Sequence, residues 1–77
     1  MIKARVFDKQ SSAYEDAELE FHEDTVTLKT KEGTQEYALA EISFSDRLGN
    51  MPRSLYLPDG KVCESQENDA IDEELKR

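Results

Sequence analysis

Apolar and polar side chains alternate along most of this chain, and that two-residue period limits its possible folds more than any other feature. At the N-terminus, Ile2, Ala4 and Val6 alternate with Lys3 and Arg5. Successive side chains of a β-strand point to opposite faces, so this pattern predicts a strand with one buried and one solvated face. The pattern recurs at short intervals, and the sequence therefore predicts a mostly β fold.

Turn signals divide the alternating sequence into seven runs. The predicted strands cover about residues 2–7, 17–22, 25–30, 35–39, 41–46, 53–57 and 61–65. Glu23-Asp24, Glu32-Gly33 and Pro58-Asp59-Gly60 predict tight turns, because Gly tolerates positive φ and Pro presets φ. The first strand is broken at Gln10-Ser11-Ser12, and Ala40 leaves room only for a bend or bulge between its neighbours.

The end of the chain changes period and predicts one short helix over about residues 69–76. Glu67 or Asn68 can cap it, and Ile71 and Leu75 are spaced to share one face. An isolated helix of about nine residues is unstable in water, so we expect this apolar stripe to dock on the sheet. Seven strands and one helix in 77 residues describe a single domain, a small antiparallel barrel or sandwich.

The charge balance restricts the possible partners. The chain has 18 acidic and 10 basic residues and a net charge of −8 at neutral pH. Binding to nucleic acid depends on Lys and Arg neutralising phosphates, so this balance argues against DNA, RNA or an anionic membrane surface as the main partner.

The sequence also points to a cellular compartment. No apolar stretch approaches the roughly 20 residues that span a bilayer, and the alternating N-terminus is unlike a signal peptide. Cys63 is the one cysteine, so no intramolecular disulfide can form. A free cysteine suits a reducing compartment, and we expect a cytoplasmic domain in which Cys63 is buried.

Candidate catalytic and metal-binding groups are sparse. His22-Glu23 begins like the H-E-x-x-H motif of zinc proteases, but the fifth position is Val26 and the segment alternates as a strand. With one histidine and one cysteine in the chain, neither a zinc site nor a nucleophilic triad is predicted. We therefore expect no catalytic residue, no metal ligand and no cofactor in this chain.

One loop stands out by its charge. Residues 14–24 and 64–74 each contain six acidic and no basic residues, whereas the segment 47–53 begins and ends with arginine. The candidate binding residues of this 47–53 loop are Arg47, Leu48, Asn50, Met51 and Arg53, with Leu48 and Met51 expected to be exposed. Two interpretations remain open: the loop contacts a partner segment, or its two arginines fix its shape by pairing with acids from the flanking runs.

The second half of the chain resembles a known family across about residues 42–75. The resemblance is carried by Arg47-Leu48-Gly49-Asn50-Met51-Pro52-Arg53, by Leu55-Tyr56-Leu57-Pro58-Asp59-Gly60, and by Glu64 with Asn68-Asp69-Ala70-Ile71-Asp72. These segments look like the N-terminal domain of bacterial membrane-bound M48-type zinc metallopeptidases. The resemblance implies a pleckstrin-homology-like fold, followed by transmembrane helices and an H-E-x-x-H peptidase domain. The zinc ligands of that family map onto no residue here, so zinc would belong to the downstream domain.

These observations lead to two expectations about function. The favoured one is a non-catalytic accessory domain that binds a protein segment or packs on its own downstream peptidase domain. It would lie in the cytoplasm, tethered to the inner membrane through the downstream segment, without itself inserting into the membrane. The alternative is a stand-alone small β-barrel module that binds a ligand or self-associates through an edge strand.

Overall fold

The computed structural model describes residues 1–8 and 13–76, and this part of the chain contains seven strands, a 3₁₀ turn and one helix. The strands are β1 (Ile2–Asp8), β2 (Glu15–Phe21), β3 (Thr25–Thr30), β4 (Gly33–Ala38), β5 (Ser43–Phe44), β6 (Arg53–Tyr56) and β7 (Lys61–Ser65). The 3₁₀ turn at Leu39–Glu41 separates β4 from β5, and the helix α1 spans Asn68–Leu75. The predicted break at Gln10-Ser11-Ser12 lies outside the described residues. The predicted mostly β architecture with one C-terminal helix is confirmed.

The strands form one antiparallel sheet in the order β4-β3-β2-β1-β7-β6-β5. β1 lies at its centre and joins two meanders, because it pairs with β2 along one edge and with β7 along the other. In this register Ala4 lies opposite Ala17, and Val6 lies opposite Cys63. The sheet curls into a half-barrel, which brings Tyr37 of β4 within hydrogen-bond distance of Asp59 in the β6–β7 turn.

The alternation decides which side chains fill the half-barrel. In β1, Ile2, Ala4 and Val6 are buried while Lys3 and Arg5 are exposed, as predicted. The largest fully buried side chains come from five different elements and are Leu19, Leu55, Ile71, Val26 and Cys63. Full burial of such an apolar side chain stabilises the fold by about 1.5–3 kcal/mol. The core is thus shared by the whole sheet and the helix, and the predicted burial of Cys63 is confirmed.

The region between β4 and β5 contains the predicted bend. The strands expected at 35–39 and 41–46 are separated by the 3₁₀ turn, which is closed by Ile42 N–H donating to Leu39 C=O at 3.2 Å. Leu39 N–H also donates to Asp24 C=O at 2.9 Å, which holds the turn against the β2–β3 hairpin.

β5 contains only Ser43 and Phe44, so the strand predicted over 41–46 is too long. Hydrogen bonds to side chains end the β5–β6 ladder at Ser45. Ser45 N–H still donates to Ser54 C=O at 2.9 Å, but Ser54 N–H donates to Ser45 Oγ at 2.8 Å instead of to a carbonyl. The Ser45 carbonyl accepts from the Arg53 side chain, so it is withdrawn from the sheet.

The turn between β6 and β7 forms at the predicted Pro58-Asp59-Gly60 segment. Gly60 N–H donates to Leu57 C=O at 3.1 Å, and Leu57 N–H donates to Lys61 C=O at 2.9 Å. Gly60 has a φ of 91°, which residues with a Cβ rarely adopt, so a glycine is required to close this hairpin.

The helix α1 docks on the sheet through its first turn. Both Asn68, where it begins, and Ile71 are buried, and half-buried Ala70 packs against the core. The predicted apolar stripe is wrong at Leu75, which is 38 % exposed because the contact with the core ends before the last turn. Among the described residues, no helix has the length and apolar character needed to cross a bilayer.

Candidate functional site

Arg53 is the first residue of β6, and only 8 % of its side chain is exposed. Its Nη1 donates to Oδ1 of Asp72 in α1 at 2.7 Å, and its Nε donates to the Ser45 carbonyl at 2.9 Å. A buried guanidinium has to be paired, since an uncompensated interior charge is strongly destabilising. Arg53 therefore connects the 47–53 loop to the helix and has little surface to offer a partner.

Arg47 binds the same helix from the solvent side. Its Nη1 donates to Asp72 Oδ2 at 2.6 Å, and its Nη2 lies 2.8 Å from Asp69 Oδ1. Two hydrogen bonds lower the pKa of the Asp72 carboxyl, with the larger effect from Arg53 and the smaller from Arg47. Hydrogen bonds to Asp72 and Asp69 raise the pKa of Arg47. Because the Arg47 side chain is 43 % exposed, solvent screens its pairs, and their main effect is to position the loop.

The tip of the loop is a turn from Leu48 to Met51. Met51 N–H donates to Leu48 C=O at 3.0 Å, and Gly49 takes a positive φ of 56°. The Met51 carbonyl accepts from Asn68 Nδ2 at 3.0 Å, which ties the turn to the start of α1. The side chains of Leu48 and Met51 are 64 % and 62 % exposed, so their predicted exposure is confirmed. Two large apolar side chains thus project from a turn that is fixed on both sides.

The structure places the five predicted binding residues on one loop but gives them different environments. Arg47 and Arg53 pair with acids of the second flanking run, as one of the two interpretations expected. Leu48, Asn50 and Met51 are exposed and accessible to a partner. Their binding to a partner stays a prediction.

Asn68 belongs to this site, although the sequence indicated it as a possible helix cap and not as a binding residue. The residue is 5 % exposed, and its Oδ1 has no hydrogen-bond partner in the part of the chain that the structure describes. An open cleft of about 550 Å³ is lined by Asn68, its neighbours in sequence, Arg47, Gly49 and Asn50. No local pattern signals this arrangement, since it arises only where the loop and the helix meet.

Glu67 precedes α1 but does not cap it, because its carboxylate accepts a hydrogen bond from Lys3 N–H of β1. Ser65 Oγ donates to Lys3 C=O at 2.7 Å and accepts from Glu67 N–H at 3.1 Å. These two side chains continue the edge of β1 beyond the end of its pairing with β7. The helix consequently begins without a side-chain acceptor for its first N–H groups among the described residues.

The single cysteine and the single histidine belong to other parts of the fold. Cys63 is fully buried, and burial, with a smaller contribution from Asp59, raises the pKa of its thiol to about 12. His22 is exposed and follows β2 instead of lying in it, with Nε2 3.4 Å from Glu20 Oε1. Within residues 1–8 and 13–76, no three His, Cys, Asp or Glu side chains are grouped to hold a metal ion. What the loop offers chemically is hydrogen bonding and apolar contact.

Comparison with known proteins places the chain in a family. No curated protein and no solved structure matches it. The model of the family described as "Domain of unknown function (DUF7092)" matches residues 1–77. The chain therefore belongs to the DUF7092 family.

Proposed function

We propose that this chain is a non-catalytic interaction domain that binds a protein segment through the 47–53 loop. The observation that carries the proposal is the exposure of Leu48 and Met51 on a turn that Asn68 and two arginines hold in place. Exposed apolar side chains on a fixed frame favour binding, because little conformational entropy is lost when a partner covers them.

The charge of the domain supports a protein partner. A net charge of −8 opposes binding to the phosphates of nucleic acid or to anionic lipid headgroups. The acids next to the loop are mostly committed to it, since Asp69 and Asp72 pair with Arg47. The loop tip therefore presents Leu48, Met51 and the polar Asn50 with little uncompensated charge nearby. The net negative charge of the whole domain favours a partner that carries basic side chains.

The resemblance to M48-type metallopeptidases supports a specific context for this interaction. In that context the chain is a cytosolic accessory module, tethered to the inner membrane, and its partner is a protein segment or the peptidase domain that follows it. Zinc would be held by that peptidase domain. Two observations support a pleckstrin-homology-like fold: the strand order β4-β3-β2-β1-β7-β6-β5 and the C-terminal helix docked on the core. The downstream reading frame tests the context: hydrophobic spans followed by H-E-x-x-H support it, and a stop codon close after Arg77 contradicts it.

Site-specific photocrosslinking in the host cell tests the binding surface itself. A benzophenone amino acid replaces Leu48 in one variant and Met51 in another, and the gene is expressed at its natural length. We expect both variants to give a defined protein adduct, which mass spectrometry assigns to another protein or to a later part of the same chain. The matched control carries the label at Tyr56, which is 43 % exposed on β6. Equal adducts at all three positions, or none at 48 and 51, would contradict the proposal.

A second candidate function is self-association through the edge of the sheet. β4 ends the sheet and is six residues long, and five of its six residues are exposed. The outward N–H and C=O groups of such an edge can pair with a strand of another chain. This function needs no loop residue, so the oligomeric state of the chain distinguishes the two candidates.

A further inference from the structure

We propose that the cleft between the 47–53 loop and the start of α1 binds a main-chain amide of an extended peptide segment. This inference deepens the proposed function and rests on it, because it names the chemical group that the partner presents. At this cleft, hydrogen-bonding groups of the described residues are left without partners.

The unmatched acceptor is Asn68 Oδ1. The other end of the same amide is fixed, since Nδ2 donates to the Met51 carbonyl at 3.0 Å. Turning the amide over would put its oxygen against the Met51 oxygen, two acceptors facing each other, so this contact determines the orientation. Oδ1 is buried and has no partner within the described part of the chain. Such an oxygen calls for a donor from outside the fold, because buried polar atoms are nearly always hydrogen-bonded.

The unmatched donors are the first N–H groups of α1. The first hydrogen bond within the helix is made by Ile71 N–H to Glu67 C=O at 3.1 Å. The N–H groups before it have no acceptor in the helix, as in any α-helix, and no side chain of residues 1–8 and 13–76 caps them. Glu67, the residue in the capping position, has its carboxylate on Lys3 N–H instead. Residues Glu67 to Ala70, with Asn68 among them, line the cleft beside the 47–53 loop.

One extended residue of a peptide can satisfy both the acceptor and the donors of the cleft. The N–H and C=O of a single trans amide point in opposite directions, but the N–H and C=O of one residue in an extended chain point to the same side. That N–H can reach Asn68 Oδ1 while the carbonyl of the same residue accepts from the helix start. A carboxylate or phosphate would leave Asn68 Oδ1 unmatched and would lie close to Asp69 and Glu67. Arg47 cannot offset that repulsion fully, because its guanidinium already pairs with Asp69 and Asp72. A cation would satisfy the oxygen alone and leave the helix donors unmatched.

Exposed Leu48 and Met51 indicate which kind of side chain lies next to the bound amide in the partner peptide. Asn68 bonds to the carbonyl of Met51, so the cleft and the turn that carries Met51 and Leu48 are directly connected. An apolar side chain next to the bound amide would cover these two residues. The occupant is therefore an extended segment with an apolar residue beside the bound amide, and the acidic surface favours basic residues further along it.

Titration of the ¹⁵N-labelled 77-residue chain with N-acetyl-leucine N-methylamide tests this inference. The probe holds two amides and one apolar side chain. We expect saturable shifts of the Asn68 side-chain amide and of the Asp69 and Ala70 backbone amides, with a millimolar Kd. Sodium acetate, the matched anion, should not move the Asn68 side-chain signals. Absence of saturable shifts, as expected if a tightly held water satisfies Asn68 Oδ1, would overturn the inference, and so would equal shifts with acetate.

Variants at exposed positions test the apolar part without endangering the fold. Leu48→Ser should weaken probe binding about fivefold, the loss expected when roughly 1 kcal/mol of apolar contact is removed. Tyr56→Ser, also exposed but on β6, should leave the Kd unchanged. Equal weakening in both variants would contradict a site at the loop. If photocrosslinking at Leu48 succeeds and the probe does not bind, this inference fails while the proposed function stands; failure of crosslinking removes both.

Discussion

The Tyr37 hydroxyl and the Asp59 carboxylate are 22 positions apart in the sequence and meet across the open side of the half-barrel, with Oη 2.8 Å from Oδ2. Oη also lies 2.8 Å from Gln35 Oε1, which accepts from Lys61 Nζ at 3.0 Å. The single hydroxyl proton favours the charged acceptor, because bonds to an ionised group are the stronger ones. These side chains connect β4 to the β6–β7 hairpin where no backbone ladder joins them.

Replacing Tyr37 by Phe should therefore destabilise the fold by about 1 kcal/mol, the usual net contribution of one such hydrogen bond. In a domain of this size that corresponds to a decrease in Tm of roughly 4–8 °C. Thermal unfolding followed by circular dichroism measures the change. Tyr56→Phe is the matched control, because Tyr56 is 43 % exposed on the outer face of β6. An equal decrease in both variants would show that the link across the half-barrel contributes nothing.

The two arginines of the 47–53 loop should differ in their effect on stability. Arg53→Met removes a buried guanidinium and leaves the Ser45 carbonyl without its donor, so we expect a loss of about 1–3 kcal/mol in unfolding free energy. Arg47→Met should have a much smaller effect, because its ion pairs are exposed to solvent. Denaturant titration of both variants measures the difference. Equal losses would contradict the distinction between a buried anchor and an exposed clamp.

Asp72 makes the stability of the loop and helix depend on acid. Its pKa is lowered mainly by the hydrogen bond from Arg53 and to a smaller extent by the one from Arg47. The folded state therefore binds a proton at Asp72 less readily than the unfolded state does. The stabilising contribution of Asp72 is complete above the ordinary carboxyl pKa, at about 4, and is lost as pH falls through the lower, folded pKa. We expect Tm to decrease more steeply below about pH 4 in the natural chain than in Asp72→Asn. If Tm depended on pH in the same way in both proteins, this prediction would be contradicted.

Cys63 should behave as a buried, neutral thiol. In the unfolded chain it ionises near its ordinary pKa of about 8.5, whereas in the fold its pKa is about 12. The folded state thus keeps a proton that the unfolded state loses, and stability should fall as pH rises through this window. Cys63→Ala should show a flatter decrease in Tm over the same range. An aromatic disulfide reagent at pH near 8 should react with Cys63 only after denaturant is added; rapid reaction with the native protein would contradict its burial.

The sequence pattern was sufficient to predict most strands of the sheet, because the alternation of side chains and the turn residues are local properties of the sequence. Val26 and Leu19 are buried where the two-residue period puts them, and Gly60 closes its hairpin through its own conformational freedom. The end of β5 could not be predicted in this way. There the ladder stops because the Ser45 carbonyl bonds to Arg53, a contact between side chain and backbone that leaves no trace in the periodicity.

The candidate site was partly predictable for a similar reason. The contrast of charge identified Arg47 and its acidic neighbourhood, and the absence of a strand pattern indicated that Leu48 would be exposed. The pairing of Arg47 with both Asp69 and Asp72 depends on one turn of helix presenting the two carboxylates together. The role of Asn68 could not be predicted, because it depends on the loop reaching the helix start in three dimensions.

The edge strand β4 distinguishes the two candidate functions. Thr30 and Gly33 form the hydrogen-bonded pair that closes the two-residue turn between β3 and β4. Hydrogen-bonded and non-hydrogen-bonded pairs alternate along an antiparallel ladder, so Glu36, three residues after Gly33, points its N–H away from β3. That N–H is free to pair with a second chain, but a carboxylate in the middle of the edge and a net charge of −8 both repel an identical copy. We therefore expect a monomer by light scattering at all salt concentrations up to about 0.15 M, where the Debye length is about 8 Å.

Glu36→Pro is the matched variant for this measurement, since proline removes the outward N–H and is tolerated at a sheet edge. If the natural chain is the expected monomer, light scattering should show that the variant is also a monomer. A natural dimer that Glu36→Pro converts to a monomer would instead establish self-association through β4. In that case Leu48→Ser, far from the edge in the strand order, should leave the dimer intact, and the proposal that the 47–53 loop is the main contact surface would lose its support.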